Sequence, residues 1–365
     1  MNFKGVVFGT ARTESCGRTI ASPGAKRTVN PIAPRWLVVM YIAWFGLLLL
    51  PTVFNILGPE RTWFGAANMY LPQWGWALPA LLIVPLTIWK QPRLLIASVL
   101  LLSWVVFVLM GFEWHPAKSL PTGPGLRLRI MTYNVKGGRR NAAAIVGDIN
   151  RFKPDVLLMQ DQQGVLEGPV GTCLRNWHVE DDYHFVAASR YPITPLRTQL
   201  SDDAPDDHCC VSFQLLAHGR RITVYDVHLR SPRFGLEALT HGHLGKMARD
   251  ARRRLAQASR LQRYLRHERI GSLIAAGDFN STSWALALRR QLALGLRDSF
   301  TVAGRGFGYT YGQYTPLHMP VMRIDHVLVG SRWRVLNVQV GNTIGSDHAP
   351  VIADLFLPGA STTAK

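Results

Sequence analysis

Six apolar runs in this 365-residue chain end in side chains able to ligate a metal, hold a phosphate or move a proton. They are Asn134, Asp161, His228, Asp278 with Asn280, Asp325 with His326, and Asp347 with His348. One such terminus alone, such as Asp278 in LIAAGDFNST, reads equally well as a turn or a helix N-cap, because Gly, Asp, Asn, Ser and Thr favour both. Six together, mixing carboxylates, amides and imidazoles with no lysine cluster to neutralise them, read as a site. Carboxylate and amide oxygens suit a hard cation, and imidazoles paired with acids suit proton transfer and phosphate binding near neutral pH.

Converging such groups takes strands whose ends meet at one sheet edge. Period-two alternation predicts strands in LRLRIMTYNV, VLLMQD, HFVAASRYPI, CCVSFQLLA, RRITVYDVHL, SLIAAGDFN, MRIDHVLVG and WRVLNVQVG. Helices are expected from about Asn141 to Phe152 and from about Lys246 to Glu268. The second carries Met247, Leu255, Ala258, Leu261 and Leu265 on one stripe, most of its arginines on a solvated face, and an Asp250 expected to be dispensable. His241 and His243, in THGHLG, read as a Gly-rich polar loop. An α/β domain over residues 127–358 follows from this pattern, with a Pro/Gly-rich linker at 113–126 before it and a disordered tail at 359–365 after it.

In order along the chain, TYNV, LMQD, SRYPI, DVHL, GDFNST, RIDHVLV and GSDHAPV resemble the endonuclease/exonuclease/phosphatase family, which includes DNase I-like nucleases, sphingomyelinases and inositol phosphatases. The resemblance implies a four-layered α/β sandwich, two stacked mixed sheets flanked by helices, and hydrolysis of a phosphate ester by an in-line water. It also implies roles. Asp278 orients or deprotonates the water, Asn280 donates to the phosphate, His348 held by Asp325 contacts the phosphate, and His228 is a second imidazole there. Asn134, Asp161 and Asp347 are the implied ligands of Mg2+, with Mn2+ as a substitute. Lys136, Arg190, Arg230 and Arg233 are the expected substrate contacts. Two positions depart from the family pattern: Asp161 stands where a longer glutamate is usual, and Lys136 stands where nuclease branches often carry an acid.

The first third is of another kind. Residues 36–57, 70–89 and 94–112 are apolar runs long enough to cross a hydrocarbon core of about 30 Å, with tryptophans near several ends. Three membrane spans are therefore expected, although Pro72, Pro79 and Pro85 weaken the second. Lys4, Arg12, Arg18, Lys26, Arg27 and Arg35 precede the first span against one acid, Glu14, and Lys90 and Arg93 fill the turn between the second and third. That bias makes residues 1–35 a cytoplasmic tail and puts the α/β domain on the extracytoplasmic side of the cell membrane. Membrane-anchored bacterial members of the family, including glycopeptide-resistance-associated ones, look like this arrangement.

A net charge of +18 with 48% hydrophobic residues excludes a disordered chain, and it suits a phosphorylated substrate, an anionic membrane or a nucleic acid equally. Of the four cysteines, Cys16 lies in the tail; Cys173 bridged to Cys209 or Cys210, and three free thiols, are both compatible with the spacing. The expectation is a membrane-embedded phosphohydrolase acting on a lipid-linked phosphate, pyrophosphate or phosphodiester. An extracytoplasmic nuclease is the alternative, and a binding module with a decayed site is disfavoured by the retained Asp278, Asn280, Asp325, Asp347 and His348.

Overall fold

The computed structural model describes residues 33–116, 118, 119, 121–198, 209–312 and 319–359. The tail before residue 33 with Cys16, residues 313–318, and the tail beyond residue 359 lie outside the described residues.

Two six-stranded mixed sheets stack face to face. The first runs in the order Arg334–Val340, Val351–Pro358, Gly125–Asn134, Val156–Gln160, Phe185–Ser189, His178–Asp181. The second runs Arg297–Asp298, Asp325–Val329, Ile274–Asp278, Arg220–His228, Cys210–Ala217, Arg197–Thr198. Each sheet holds one parallel pair, 125–134 with 156–160 and 220–228 with 274–278. A parallel pair needs a crossover, and in each case a helix supplies it: Ala142–Phe152 for the first and Leu244–Arg266 for the second. The Ala142–Phe152 helix is started by Asn141, whose side chain accepts from the Ala144 amide at 3.0 Å.

Strand alternation sorts the core into layers. Leu128, Ile130, Val156 and Leu158 face inward to meet Phe213, Val224, Ile274, Ala276 and Val327 of the other sheet. Their odd-numbered neighbours Met131, Tyr133, Leu157 and Met159 face outward onto Ile145 and Ile149. On the other side Tyr225, Val227, Ala275 and Leu328 pack under Ala258, Leu261 and Leu265. The layers are helix, sheet, sheet and helix, the expected sandwich. Cys173 sits in the layer of the first crossover helix, whereas Cys209 and Cys210 lie under the second, and no disulfide joins these three.

Among the described residues two helices, not three, are long and apolar enough to cross a membrane: Arg35–Leu57 and Pro92–Leu109. The expected middle span is broken. Residues Gln73–Ala77 form a 3₁₀ helix and the regular α-helix runs only from Ala80 to Lys90, because Pro79 can donate no backbone N–H into a turn begun upstream. Tyr70, expected in that span, lies instead among residues of the α/β sandwich such as Met247, Ala251 and Ala285. The three apolar segments still pack together around Leu37, Trp44, Leu48, Ile83, Leu101 and Val105. The Tyr41 hydroxyl joins Thr87 Oγ1 at 2.8 Å and Ser98 Oγ at 2.5 Å inside the bundle. Outward, Val39, Leu81 and Ile96 are 61%, 75% and 71% exposed, so the bundle presents an apolar surface.

The apolar segments and the sandwich exchange helix caps. The helix Leu286–Leu292 begins after Ala285 and has no side-chain cap of its own. Glu60, which follows the first apolar helix, supplies one by accepting from the amides of Leu286 at 2.9 Å and Ala287 at 3.0 Å. In return Arg289 donates to the carbonyls of Ile56 and Asn55, each at 3.0 Å, at a C-terminus with no basic residue in its last turn. Caps of these two kinds stabilise by about 1 kcal/mol and about 0.3–1 kcal/mol respectively.

Candidate active site

The inward rows of the two sheets change from apolar to polar at one end. Leu128 and Ile130 are followed two and four residues on by Thr132 and Asn134; Val156 and Leu158 by Gln160; Ile222 and Val224 by Asp226 and His228; Ile274 and Ala276 by Asp278. Ladder register brings these ends level, with His228 opposite Asp278 in the parallel pair and Asp325 opposite Asp278 in the antiparallel one. Gly277 makes the close approach feasible: a Cβ there would lie 1.9 Å from the Val227 carbonyl oxygen.

Asp278 is the hub. Its Oδ2 accepts from Asn134 Nδ2 and from Asn280 Nδ2, both at 3.0 Å, and its Oδ1 from the Asn280 amide at 2.8 Å. The Nε2 atoms of His228 and His348 each stand 3.7 Å from Oδ2. Burial lifts the Asp278 carboxyl above the ordinary carboxylate value, His348 opposing and Asp325 adding to the shift, so it is a stronger base than an exposed aspartate. His348 Nδ1 lies 2.9 Å from Asp325 Oδ2. Burial disfavours the imidazolium, but Asp325 and Asp278 outweigh it and raise its pKa to about 9.

Asp161 forms the other side. Lys136 Nζ sits 2.9 Å from its Oδ2, His228 Nδ1 3.5 Å from its Oδ1, and Asn134 Nδ2 donates to Oδ2 at 3.5 Å. Burial resists ionisation, yet His228 and Lys136 together hold this carboxyl below the usual range. Asp347 accepts from the Ser346 hydroxyl at 3.2 Å and shares an open depression with Lys136, Asp161, Arg139 and Arg140. Among the described residues five non-glycines have positive φ, and Lys136, Asp161 and Asn280 are three of them. Backbone strain is concentrated where the polar side chains converge.

A cavity of about 270 Å³ opens over Asp278, His228, His348, Lys136 and Asp161. Arg230 and Arg233 line it, Arg230 fixed by Asp250 at 2.9 Å and Arg233 by Glu237 at 2.7 Å. Asp250 is thus no idle surface acid: it is 6% exposed and also accepts from the Gly235 amide. Arg190 is elsewhere. Its strand runs antiparallel to 156–160, so Ser189 pairs with Val156 at the far end from Asp161. Arg190 there donates to the Pro154 carbonyl and stacks on Trp177. His326, next to Asp325, points to the outer face, 2.9 Å from Asp298 Oδ2. Tyr70 and Tyr311 also line the cavity; nothing in the sequence around Tyr70 marks it, whereas Tyr311 belongs to the aromatic run GFGYTYGQYTP. Gln160, one residue before Asp161, bonds both Thr132 and the buried Asp226 beneath the site.

The endonuclease/exonuclease/phosphatase family model matches residues 131–348, more than half of the chain. The chain belongs to the endonuclease/exonuclease/phosphatase family. Members of this family are metal-dependent phosphoesterases and nucleases, and the chain is a hydrolase of that kind. No curated protein matches it. The chain is similar to several solved structures. An endonuclease/exonuclease/phosphatase family protein from Bacteroides thetaiotaomicron is 17% identical with a TM-score of 0.50, covering 65% of this chain and 100% of that one. A mannosyl-6-phosphatase from the same organism is 19% identical with a TM-score of 0.49, covering 62% and 99%. A 3'-5' exonuclease from Neisseria meningitidis is 23% identical with a TM-score of 0.46, covering 62% and 98%.

Two donor sets in this family member could hold a metal. Asp278, Asp325 and His348 bring ligand atoms within 4.8 Å of one another. Their hydrogen bonds are internal, however, and His348 Nδ1 is already committed to Asp325. Asp161 and Asp347 offer oxygens to the open depression, where Lys136 supplies the positive charge, while Asn134 is fully buried behind Asp161 with its Oδ1 accepting from the Lys136 amide at 3.3 Å. Oxygen donors of this type fit a hard divalent cation.

Proposed function

We propose that this protein is a membrane-anchored phosphohydrolase of the bacterial, glycopeptide-resistance-associated type. It cleaves a lipid-linked phosphate, pyrophosphate or phosphodiester at the extracytoplasmic face. The observation that carries this reading is a shared wall: Tyr70, from between the apolar segments, lines the same cavity as Asp278, His228 and His348. A site walled by the membrane-side segment is suited to a headgroup delivered along the bilayer. The broken segment 73–90 supports a third crossing, since Gln73 and Asn55 line one pocket at one end and Thr87 bonds Tyr41 near the other. With three crossings, the Lys/Arg bias leaves the sandwich outside the cytoplasm.

In this reading Asp278 orients the attacking water and takes its proton, helped by its raised pKa. Protonated His348 donates to the phosphate oxygens, His228 stands at the phosphate or leaving group, and Asn280 Nδ2, whose two protons go to Asp278 and the Leu229 carbonyl, aims the carboxylate beside the phosphate. Asn134, Asp161 and Asp347 would hold Mg2+ or Mn2+, which supplies charge neutralisation at the phosphate when bound. Arg230 and Arg233 add positive charge at the cavity wall. Arg139, Arg140 and Arg233, in the adjoining depression, favour a second reading, a nuclease that tracks a phosphate backbone.

A substrate panel on purified protein in liposomes with Mg2+ separates the two: polyprenyl pyrophosphate, phospholipids, sphingomyelin, inositol phosphates, and single- and double-stranded DNA. Turnover of at least one lipid-linked phosphate is expected, with DNA cleaved far more slowly at about 0.15 M salt. Efficient DNA degradation with every lipid untouched would sink the first reading and promote the second.

A further inference from the structure

Tyr70 enters the catalytic pocket from outside the catalytic fold. It follows the short helix Trp63–Asn68, yet it is only 5% exposed and packs with Met247, Ala251 and Ala285. Its hydroxyl donates to the backbone carbonyl of Asn280 at 2.7 Å. Its ring is held by Arg254, whose guanidinium lies 5.3 Å from the ring centre. Arg254 is fully buried and gives Nη1 to the Arg230 carbonyl, while its Nε and Nη2 have no hydrogen-bond partner among the described residues. The cation therefore has little to hold it except the tyrosine face and that one carbonyl.

Asn280 needs such support. Its φ of 44° lies in the left-handed region, which an asparagine enters at a cost in backbone energy. Its side chain must point one amide at Asp278 and at the Leu229 carbonyl together. The carbonyl of the same residue is the handle that Tyr70 grips. A few residues on, the chain enters the helix that Glu60 caps, so one segment secures the loop at both ends.

We propose that residues 59–72 are a component of the active site and that Tyr70 is a positioning residue for Asn280. It fixes the 280 peptide so that Nδ2 and the Asp278 carboxylate keep their aim. The inference rests on the role of Asn280 in aiming the Asp278 carboxylate in the proposed function, and it does not depend on which alcohol the phosphate carries.

The test uses the full-length protein in liposomes, comparing wild type, Tyr70→Phe and Asn280→Ala. Hydrogen–deuterium exchange over peptides covering 279–285 should quicken in Tyr70→Phe by roughly tenfold, with the strand Ile274–Asp278 and the helix Leu244–Arg266 unchanged. On whichever panel substrate is turned over, kcat should fall by roughly tenfold with KM within about twofold of wild type. Unchanged local exchange, unchanged kcat, or faster exchange throughout the protein overturns the inference. If Asn280→Ala loses activity in the same experiment, the proposed function survives that outcome; if Asn280→Ala keeps full activity, the underlying reading fails instead.

Discussion

Asp278 and Asp325 stand directly opposite each other across an antiparallel ladder, two carboxylates 1% and 2% exposed on the same face of one sheet. Like charges so placed repel. His348 makes the arrangement tolerable by sitting 2.9 Å from one and 3.7 Å from the other. Catalysis and stability consequently pull in opposite directions at this pair.

Asp278→Asn keeps the shape, removes the base and relieves the repulsion. The catalytic rate should fall by roughly two to four orders of magnitude, while the thermal midpoint stays equal to or above that of wild type. A drop in midpoint that tracks the lost activity would show Asp278 to be structural.

His348 gives the pair a pH signature in the metal-free chain. Its folded pKa of about 9 is above the unfolded value of about 6.5, so its contribution is complete below the lower value and disappears as pH rises through the upper one. Thermal midpoints measured in chelator should decline across that window in wild type. In Asp325→Asn, with one carboxylate gone, the decline should be shallower.

In the proposed metal site, Lys136 competes with a divalent cation for Asp161. Excess chelator should abolish activity, and Lys136→Asn, which tolerates the same positive φ, should lower the half-saturating Mg2+ concentration by roughly tenfold. Magnesium titrations of activity decide it. A higher half-saturating Mg2+ concentration in the variant would mean that Lys136 organises the ligands instead of opposing them.

Asp298, Arg323 and His326 form a buried cluster outside the cavity, with Arg323 Nη1 2.5 Å and His326 Nδ1 2.9 Å from the same carboxylate oxygen. Asp298→Ala should cost about 3–5 kcal/mol, leaving two buried bases unpaired, with kcat of the folded protein little changed. Burial opposes ionisation of Asp298, but Arg323 and His326 prevail and hold its pKa below the usual carboxylate range. Its stabilisation is present above about pH 4 and is lost as the solution is acidified below that, which acid titration of wild type against Asp298→Asn reads out.

A reporter fused after residue 125 should be active only outside the cytoplasm. Strong cytoplasmic activity at that junction would reverse the topology argued from the basic residues.

The strand ends were legible because period-two alternation marks which residues share a face. Once Ile274 and Ala276 are core, Asp278 must point the same way. Register was not legible: SRYPI ends a strand as convincingly as LMQD does, and only the antiparallel pairing of the two sends Arg190 and Asp161 to opposite ends. Periodicity likewise identified the buried stripe of the helix Leu244–Arg266 but not that Asp250 and Arg254 lie within it. A charged residue on an apolar face declares itself only when its partner is known, and those partners, Arg230 and Tyr70, come from remote segments. Tyr70 and Glu60 touch residues more than two hundred positions away, beyond the reach of any local pattern.

The exchanged caps between Glu60 and Leu286, and between Arg289 and Ile56, mean that the linker at 113–126 does not work as a leash. A leashed enzyme samples a sphere, and its gain is an effective concentration set by linker length. A domain bolted at two helix ends has one orientation and one standoff. Under the proposed anchoring in a bilayer, the catalytic mouth would work like a gauge at fixed height, selecting substrates by how far their phosphorus stands above the lipid plane before any recognition of the group attached to it.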